Sequence, residues 1–233
     1  MMEYGNKGNG DTRLGSKKFR RIALFAISLC IGLVLFHRPI LRGAGHFLAP
    51  NGSGGAEVLI VEGTQAVKVD AINAGIRLLA DEKAKRMVVV LHQFVKRGQT
   101  VALQEEYGHL LMGESERFGI EKGRFQVILA PIDGHPITLK EAKFVVDKMS
   151  GEGIKSAILL SEGFHTRRSF GVYSQEGTRV SLRIIPSPYF SEYTRDDWWQ
   201  HTEGVHDFVN ELFKLAYYLF RGFISVESLS ATG

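Results

Sequence analysis

One cysteine, Cys30, occurs in 233 residues, so the chain can form neither an intrachain disulfide nor a cysteine-based metal site. A small disulfide-stapled scaffold is therefore excluded. A core this large needs no staples, and the count fits a cytosolic protein or an exported bacterial domain alike. The chain also contains no GxGxxG, no phosphate-binding P-loop and no GxSxG. Their absence argues against the common dinucleotide, nucleotide-hydrolase and α/β-hydrolase readings. No HExxH or similarly spaced pair is present, and no period of 20 to 50 residues marks a repeat array.

What is there is an ordinary globular composition, 44% apolar and 10% aromatic, too apolar for disorder. The formal charge of +4 is unevenly placed. Residues 1–50 hold eight Lys and Arg against Glu3 and Asp11, a local +6, which leaves −2 for residues 51–233. The basic character belongs to the N-terminal segment, so no nucleic-acid partner is expected of the body.

Residues 1–16 are polar and rich in Gly and Asn, and read as disordered. Lys17, Lys18, Arg20 and Arg21 then precede IALFAISLCIGLVLF, residues 22–36, fifteen without a charge. That run falls short of the roughly 20 residues of a full membrane span. No small-x-small cleavage site follows it, and snorkelling of Arg21 and Arg38 could lengthen it. The expectation is a single-pass signal-anchor in the cytoplasmic membrane, N-terminus inside and the body outside, with membrane lipid as a partner. A cleaved signal and a buried core helix are the alternatives. The implied organisation is a cytoplasmic basic tail (1–21), an anchor (22–42), a flexible Gly-rich linker (43–56), an α/β domain (57–220) and a tail with little signal (221–233).

In the body, short β-rich apolar runs alternate with longer amphipathic stretches. Strands are expected at 57–61, 87–91, 125–129, 156–160 and 180–185, and helices at 66–80, 100–118, 138–149, 165–174 and 204–220. Thr138 with Glu141 three residues on reads as a capping box. The strands show little alternation, which implies a mostly parallel sheet of five or more strands buried on both faces, a Rossmann-like three-layer α/β sandwich. Trp198, Trp199 and the apolar residues of the last helix (Val205, Phe208, Val209, Leu212, Phe213, Ala216, Leu219) read most simply as core. A membrane-surface role near Tyr217 and Tyr218 is the alternative.

Ligands of an open parallel sheet bind beyond the carboxyl ends of its strands. The candidates are therefore Glu62, Gly63 and Thr64 after the first strand, His92 and Gln93 after the second, and Thr138 and Glu141 after the third. Ser161, Glu162, Gly163, His165, Arg167 and Arg168 follow the fourth. A Gly before a helix start turns backbone N–H groups toward a ligand, and His165 and Arg168, three apart, share one side of the first turn. This arrangement suits a phosphate or another anion. The plainer reading makes Arg167 and Arg168 surface charges and His165 a helix cap. Glu62 could serve as a general base, accept a ligand hydroxyl, or pair with an Arg. A metal site from Glu62, His92, Glu162 and His165 lacks any supporting spacing, so no metal is assigned and the cofactor is left unknown.

The sequence of features resembles the YdcF-like family that includes SanA and ElyC. It comprises the N-terminal apolar run, Val61-Glu62-Gly63, an MVVVL strand, Thr138/Glu141/Ala142, SEGFHTRRS and the DDWW…EGVHDFVNELFKLAYY close. Phe164-His165-x-x-Arg168-Ser169 is similar to that family's aromatic-His-x-x-Arg-small signature. The chain departs from the pattern in VEGT and LHQF, where members carry Gly-rich turns, and in Ile137, where members often carry Asn. The resemblance covers residues 56–220. It implies a Rossmann-like fold and a role in cell-envelope or surface-polysaccharide biogenesis, with envelope-assembly proteins as partners, and brings no established reaction. The expected function is a membrane-anchored envelope factor that binds a phosphate-bearing ligand, with a lipid-linked glycan carrier the natural candidate. Any catalysis would be acid–base hydrolysis or transfer at phosphorus by Glu62, His165 and Arg168. A non-catalytic scaffold and a nucleotide- or S-adenosylmethionine-binding domain are the rival expectations.

Overall fold

The computed structural model describes residues 11–64, 67–96, 99–100, 102–113, 117 and 119–230. The chain divides into two units, 1–43 and 44–233. The described part of the first unit is helical and belongs to α1 (Asp11–Leu48). Residues 11–16, expected to be disordered, lie in that helix, and residues 1–10 lie outside the described ones. The expected anchor falls within α1, although several of its side chains, Cys30 included, are outside the description. Among the described residues no helix is long and apolar enough to cross a membrane.

The second unit holds the sheet. Its elements are β1 (Ala56–Thr64), α2 (Val69–Ala80), β2 (Ala84–Lys96), β3 (Gln99–Thr100), α3 (Ala102–Gly113), β4 (Phe125–Ile132), α4 (Ile137–Gly151), β5 (Ser156–Glu162), α5 (His165–Thr178), β6 (Arg183–Tyr189), α6 (Thr202–Phe220) and α7 (Val226–Ser230). Five strands run parallel in the order β4-β2-β1-β5-β6, and the two-residue β3 adds to β2 in antiparallel fashion. This is a doubly wound order whose direction reverses between β1 and β5, the switch point at which such sheets bind ligands.

The apolar runs form strands because both faces are covered. Val58, Leu59 and Ile60 are fully buried, as are Met87 to Leu91. Leu59, Val61, Met87 and Val89 pack with Ala71 and Ile72 of α2 and Leu111 of α3. On the other face α4 and α5 pack together, α4 over β4 and α5 over β5 and β6. The Rossmann-like three-layer architecture is thus present. The second expected helix, 100–118, is described over Ala102–Gly113, and the last strand starts later and runs to Tyr189.

Two stretches expected to be loose are built into the unit. The supposed linker begins as helix: Leu48 and Ala49 are fully buried, and the Gly52 N–H donates to the Pro186 carbonyl at 2.8 Å. Gly45 is there for close approach, because a Cβ at that position would collide with the Arg195 carbonyl and the Trp198 ring. The supposed tail carries the buried Ile224 and α7, which packs on α5. Arg167 ties the two stretches together by donating to the carbonyls of Phe47 and Leu229, with its guanidinium 4.8 Å from the Phe47 ring centre.

Candidate functional site

A cleft of about 820 Å³ opens at the carboxyl ends of β1 and β5. Its position follows from the switch point, and a local irregularity in β1 aims the first side chain into it. Val61 pairs with Val89 but Thr64 pairs with Leu91, so β1 has an extra residue across Glu62-Gly63. Such bulges re-aim side chains at the rims of sheets. Glu62, only 7% exposed, lines the cleft.

His165 opens α5 directly after the β5 loop and lies between two buried carboxylates. Its Nε2 is 2.9 Å from Glu62 Oε1, and its Nδ1 is 3.3 Å from Glu211 Oε2. Arg168, one turn on, donates from Nε to Glu211 Oε2 at 2.9 Å and from Nη2 to Glu211 Oε1 at 3.2 Å. Its Nη1 donates to the Thr138 hydroxyl at 2.8 Å, and its guanidinium lies 4.9 Å from the Tyr218 ring centre. The Ser169 hydroxyl donates to Glu62 Oε1 and lies 2.9 Å from His165 Nε2. His165 and Arg168 do face the same way, as their spacing required.

The imidazole has two states with different partners. When neutral, Nε2–H donates to Glu62 while Nδ1 accepts from Arg168 Nη2 at 2.6 Å. When charged, Nδ1–H turns to Glu211. Burial opposes the charged form, and Arg168 adds to that opposition. The Glu62 charge together with the hydrogen bonds to Glu211 and Glu62 overcomes both, and His165 is pushed up to about 9. For Glu62, burial works to raise the pKa, but the His165 charge and the hydrogen bonds to the carboxylate together hold it below its usual range. Burial likewise fails against His165 and Arg168 at Glu211, which is held well below the carboxylate range. At neutral pH the group is therefore two carboxylates with two cations. Glu62 Oε2 and the nearby Ser161 hydroxyl are buried with no hydrogen-bond partner among the described residues.

A second buried network sits beside it. Glu141, 1% exposed, accepts from the Gly63 N–H at 2.9 Å, from the Tyr173 hydroxyl at 2.6 Å and from His92 Nε2 at 2.6 Å. Burial, with the Glu141 charge, raises the Tyr173 phenol well above its ordinary range, so it stays a donor. This corrects the capping-box reading. The residue flanking the start of α4 is Pro136, with no side-chain cap, and Thr138 and Glu141 both turn inward.

The other expected residues separate into two groups. Gly63, His92, Thr138, Glu162 and Gly163 line the cleft, with Glu162 paired to Lys68 and the Gly163 N–H donating to the Tyr189 carbonyl at 2.8 Å. Gln93 follows His92 on β2 but does not line the cleft, and the Thr64 side chain is outside the described residues. Arg167 is the clear correction. It faces Phe47 and Leu229 rather than the cleft, because its stem extends from the side of α5 that meets α7. Arg168 is likewise committed to Glu211 and Thr138, which makes it a positioning group more than an anion contact.

Sequence reasoning missed Glu211, although a carboxylate on the same helical face as Phe208 and Leu215 was a readable signal. It also missed the cleft's aromatic wall and its cationic mouth: Tyr189, Tyr193, Tyr217 and Tyr218, with Lys68, Lys214 and Arg221. The loop into α5 is fixed by Phe164, whose ring lies 5.2 to 5.7 Å from those of Phe208, Trp198, Tyr193 and Phe190. Trp198 stacks on Phe208 at 4.0 Å and is core, as expected. Among the described residues no group of three or more His, Cys, Asp or Glu is arranged to hold a metal ion.

No family model matches the chain, and no curated protein matches it. Among solved structures, a protein from the universal stress protein family of Burkholderia pseudomallei is 16% identical, with 55% of this chain and 96% of that one covered and a TM-score of 0.34. A universal stress protein in complex with cAMP is 9% identical, with 60% and 99% covered and a TM-score of 0.35.

Proposed function

We propose that the cleft binds a phosphate-bearing ligand and can carry out acid–base hydrolysis or transfer at phosphorus. The observation that carries the reading is His165 held between Glu62 and Glu211 on the cleft wall and kept protonated at neutral pH. An imidazolium so placed is a ready proton donor for a leaving or bridging oxygen, and Glu62 is the matching base or hydroxyl acceptor. Arg168 is buried against Glu211, so the ligand's charge is met at the mouth by Arg221 and by Lys68 and Lys214, whose exposed ammonium groups would exchange Glu162 and Glu211 for the phosphate. The tyrosine wall suits a sugar ring or base attached to the phosphate.

The reading extends to a membrane-anchored envelope factor. Support comes from the basic cluster before residues 22–36 and from the sequence resemblance to YdcF-like proteins, and a lipid-linked glycan carrier is the natural ligand for a domain held beside the membrane. One observation favours the rival reading of a non-catalytic binding module: α6 exposes apolar residues that a buried helix would hide.

Thermal-shift titration of the full chain tests the site. The panel comprises inorganic phosphate, a polyprenyl phosphate, nucleotide sugars and S-adenosylmethionine. A true ligand at 100 times its dissociation constant adds about 2.7 kcal/mol. Stabilisation by phosphate-bearing compounds that is lost in Lys214→Ala and Arg221→Ala is the expected result. No shift from any of them, or a shift from S-adenosylmethionine alone, overturns it.

A further inference from the structure

The last long helix buries the opposite side from the one its apolar pattern suggests. Gly204, Glu211, Leu215 and Tyr218 are buried, and Phe208 packs on Trp198. Val205, Val209, Leu212, Phe213, Ala216 and Phe220 are exposed. At 100° per residue these six fall within an arc of about 100°, along a stripe about 23 Å long. Phe213 is 72% exposed and Phe220 89%, so at roughly 200 Å² per ring the two alone present about 320 Å². Two rings alone thus match the roughly 300–600 Å² of the largest apolar patch on a typical monomer, a patch that is often functional. Val205, Val209, Leu212 and Tyr217, each 41 to 49% exposed, extend the face toward the ~800 Å² per partner of a standard interface.

We infer that this face of α6 pairs with the same face of a second copy of the chain. The spacing supports a helix partner: Val205, Val209, Leu212, Ala216 and Leu219 follow one another at intervals of four, three, four and three residues. That is the seam of two packed helices, with the small Ala216 allowing close approach and Phe213 and Phe220 beside the seam. Charge separates a protein partner from a lipid surface. A helix lying on a membrane carries Lys and Arg on a polar face turned to solvent and anionic headgroups. Here the opposite face is packed into its own domain, Lys214 pairs with Glu211, and Arg221 lies over the Tyr217 and Phe223 rings. No charged residue falls in the exposed arc between Val205 and Phe220. Tyr217 and Arg221 border the stripe and line the cleft mouth, so the second copy stands beside the entrance.

Sedimentation velocity on the full chain reads this directly, with a particle of twice the 26.0 kDa chain expected. Phe213→Glu with Phe220→Glu should weaken the dimer at least tenfold while leaving the melting profile of the dilute monomer unaltered, since both rings are exposed in the single chain. In a Cys30→Ser background, Leu212→Cys at mid-stripe should cross-link to itself, whereas Glu203→Cys on the far flank should not. A chain that sediments as a monomer at ~100 μM, a binding energy weaker than about −5.5 kcal/mol, overturns the proposal. So does a dimer indifferent to the two substitutions, which would place the contact elsewhere. Vesicle binding by the monomer that the same substitutions abolish would assign the face to lipid and likewise overturn it.

Discussion

Removing the Glu211 carboxylate should be among the most damaging single changes in the α/β unit. Arg168 is 6% exposed and directs two of its three nitrogens at Glu211. In Glu211→Ala the guanidinium keeps only the Thr138 hydroxyl and the Tyr218 ring, with the protonated His165 as an opposing charge beside it, leaving a buried charge without its counter-ion. Breaking one side of a buried pair costs about 3–5 kcal/mol. For a unit of this size each kcal/mol moves the melting temperature by about 2–4 °C, so the loss should be on the order of 6–20 °C. Glu211→Gln keeps the shape and the acceptor oxygen but removes the charge, and should fall between Ala and wild type. The decisive comparison is Arg168→Met with Glu211→Leu. Apolar residues of similar volume remove both desolvation penalties, so the pair should recover most of the single-mutant loss. Thermal or denaturant unfolding of the four proteins gives the coupling. Single losses below about 1 kcal/mol, or a double that equals the sum of the singles within ~0.5 kcal/mol, would refute the claim that these two residues form one buried electrostatic unit.

Three further outcomes follow from the geometry. Gly63→Ala would place a Cβ 2.6 Å from His92 Nε2 and 2.7 Å from Glu141 Oε2. It should cost about 1–3 kcal/mol of overpacking in a denaturant melt, and a neutral result would mean the Glu141 network yields easily. His165 has a folded pKa raised to about 9 from an ordinary 6.5, so its stabilising contribution is complete below pH 6.5 and is lost as pH rises through 9. Melting temperature should therefore decline between pH 7 and 10 more steeply in wild type than in His165→Gln. Parallel curves would remove the case for a charged imidazole. Phe164→Ala should cost about 3–5 kcal/mol, because the ring is 1% exposed among four aromatic neighbours, and should loosen the loop carrying His165, which amide exchange would report.

The sheet was legible because burial on both faces leaves near-continuous apolar runs, and the strand ends led to Glu62 and His165, which the fold brings together on the cleft wall. The remainder was hidden for identifiable reasons. The periodicity of α6 marks its most apolar side, and that side is exposed; burial is decided by Phe208, Glu211 and Leu215, which answer to Trp198 and Arg168. Thr138 and Glu141 have capping-box spacing, yet Glu141 is drawn inward by three donors from β1, β2 and α5. Gly45 and Gly52 looked like flexibility and serve close packing against Trp198 and Ile185, a distinction local sequence does not carry. Arg167 and Arg168 are adjacent and chemically identical, and only the tertiary partners separate a fastener from a site residue.

That fastener has a mechanical consequence. Since one guanidinium grips the carbonyls of Phe47 and Leu229, strands of chain separated by most of the unit's length are released or retained together. Fraying at residue 226 should propagate to residue 47 within one opening event, and the two ends should exchange their amide protons at matching rates. A tag or fused partner placed at one of them would be felt at the other.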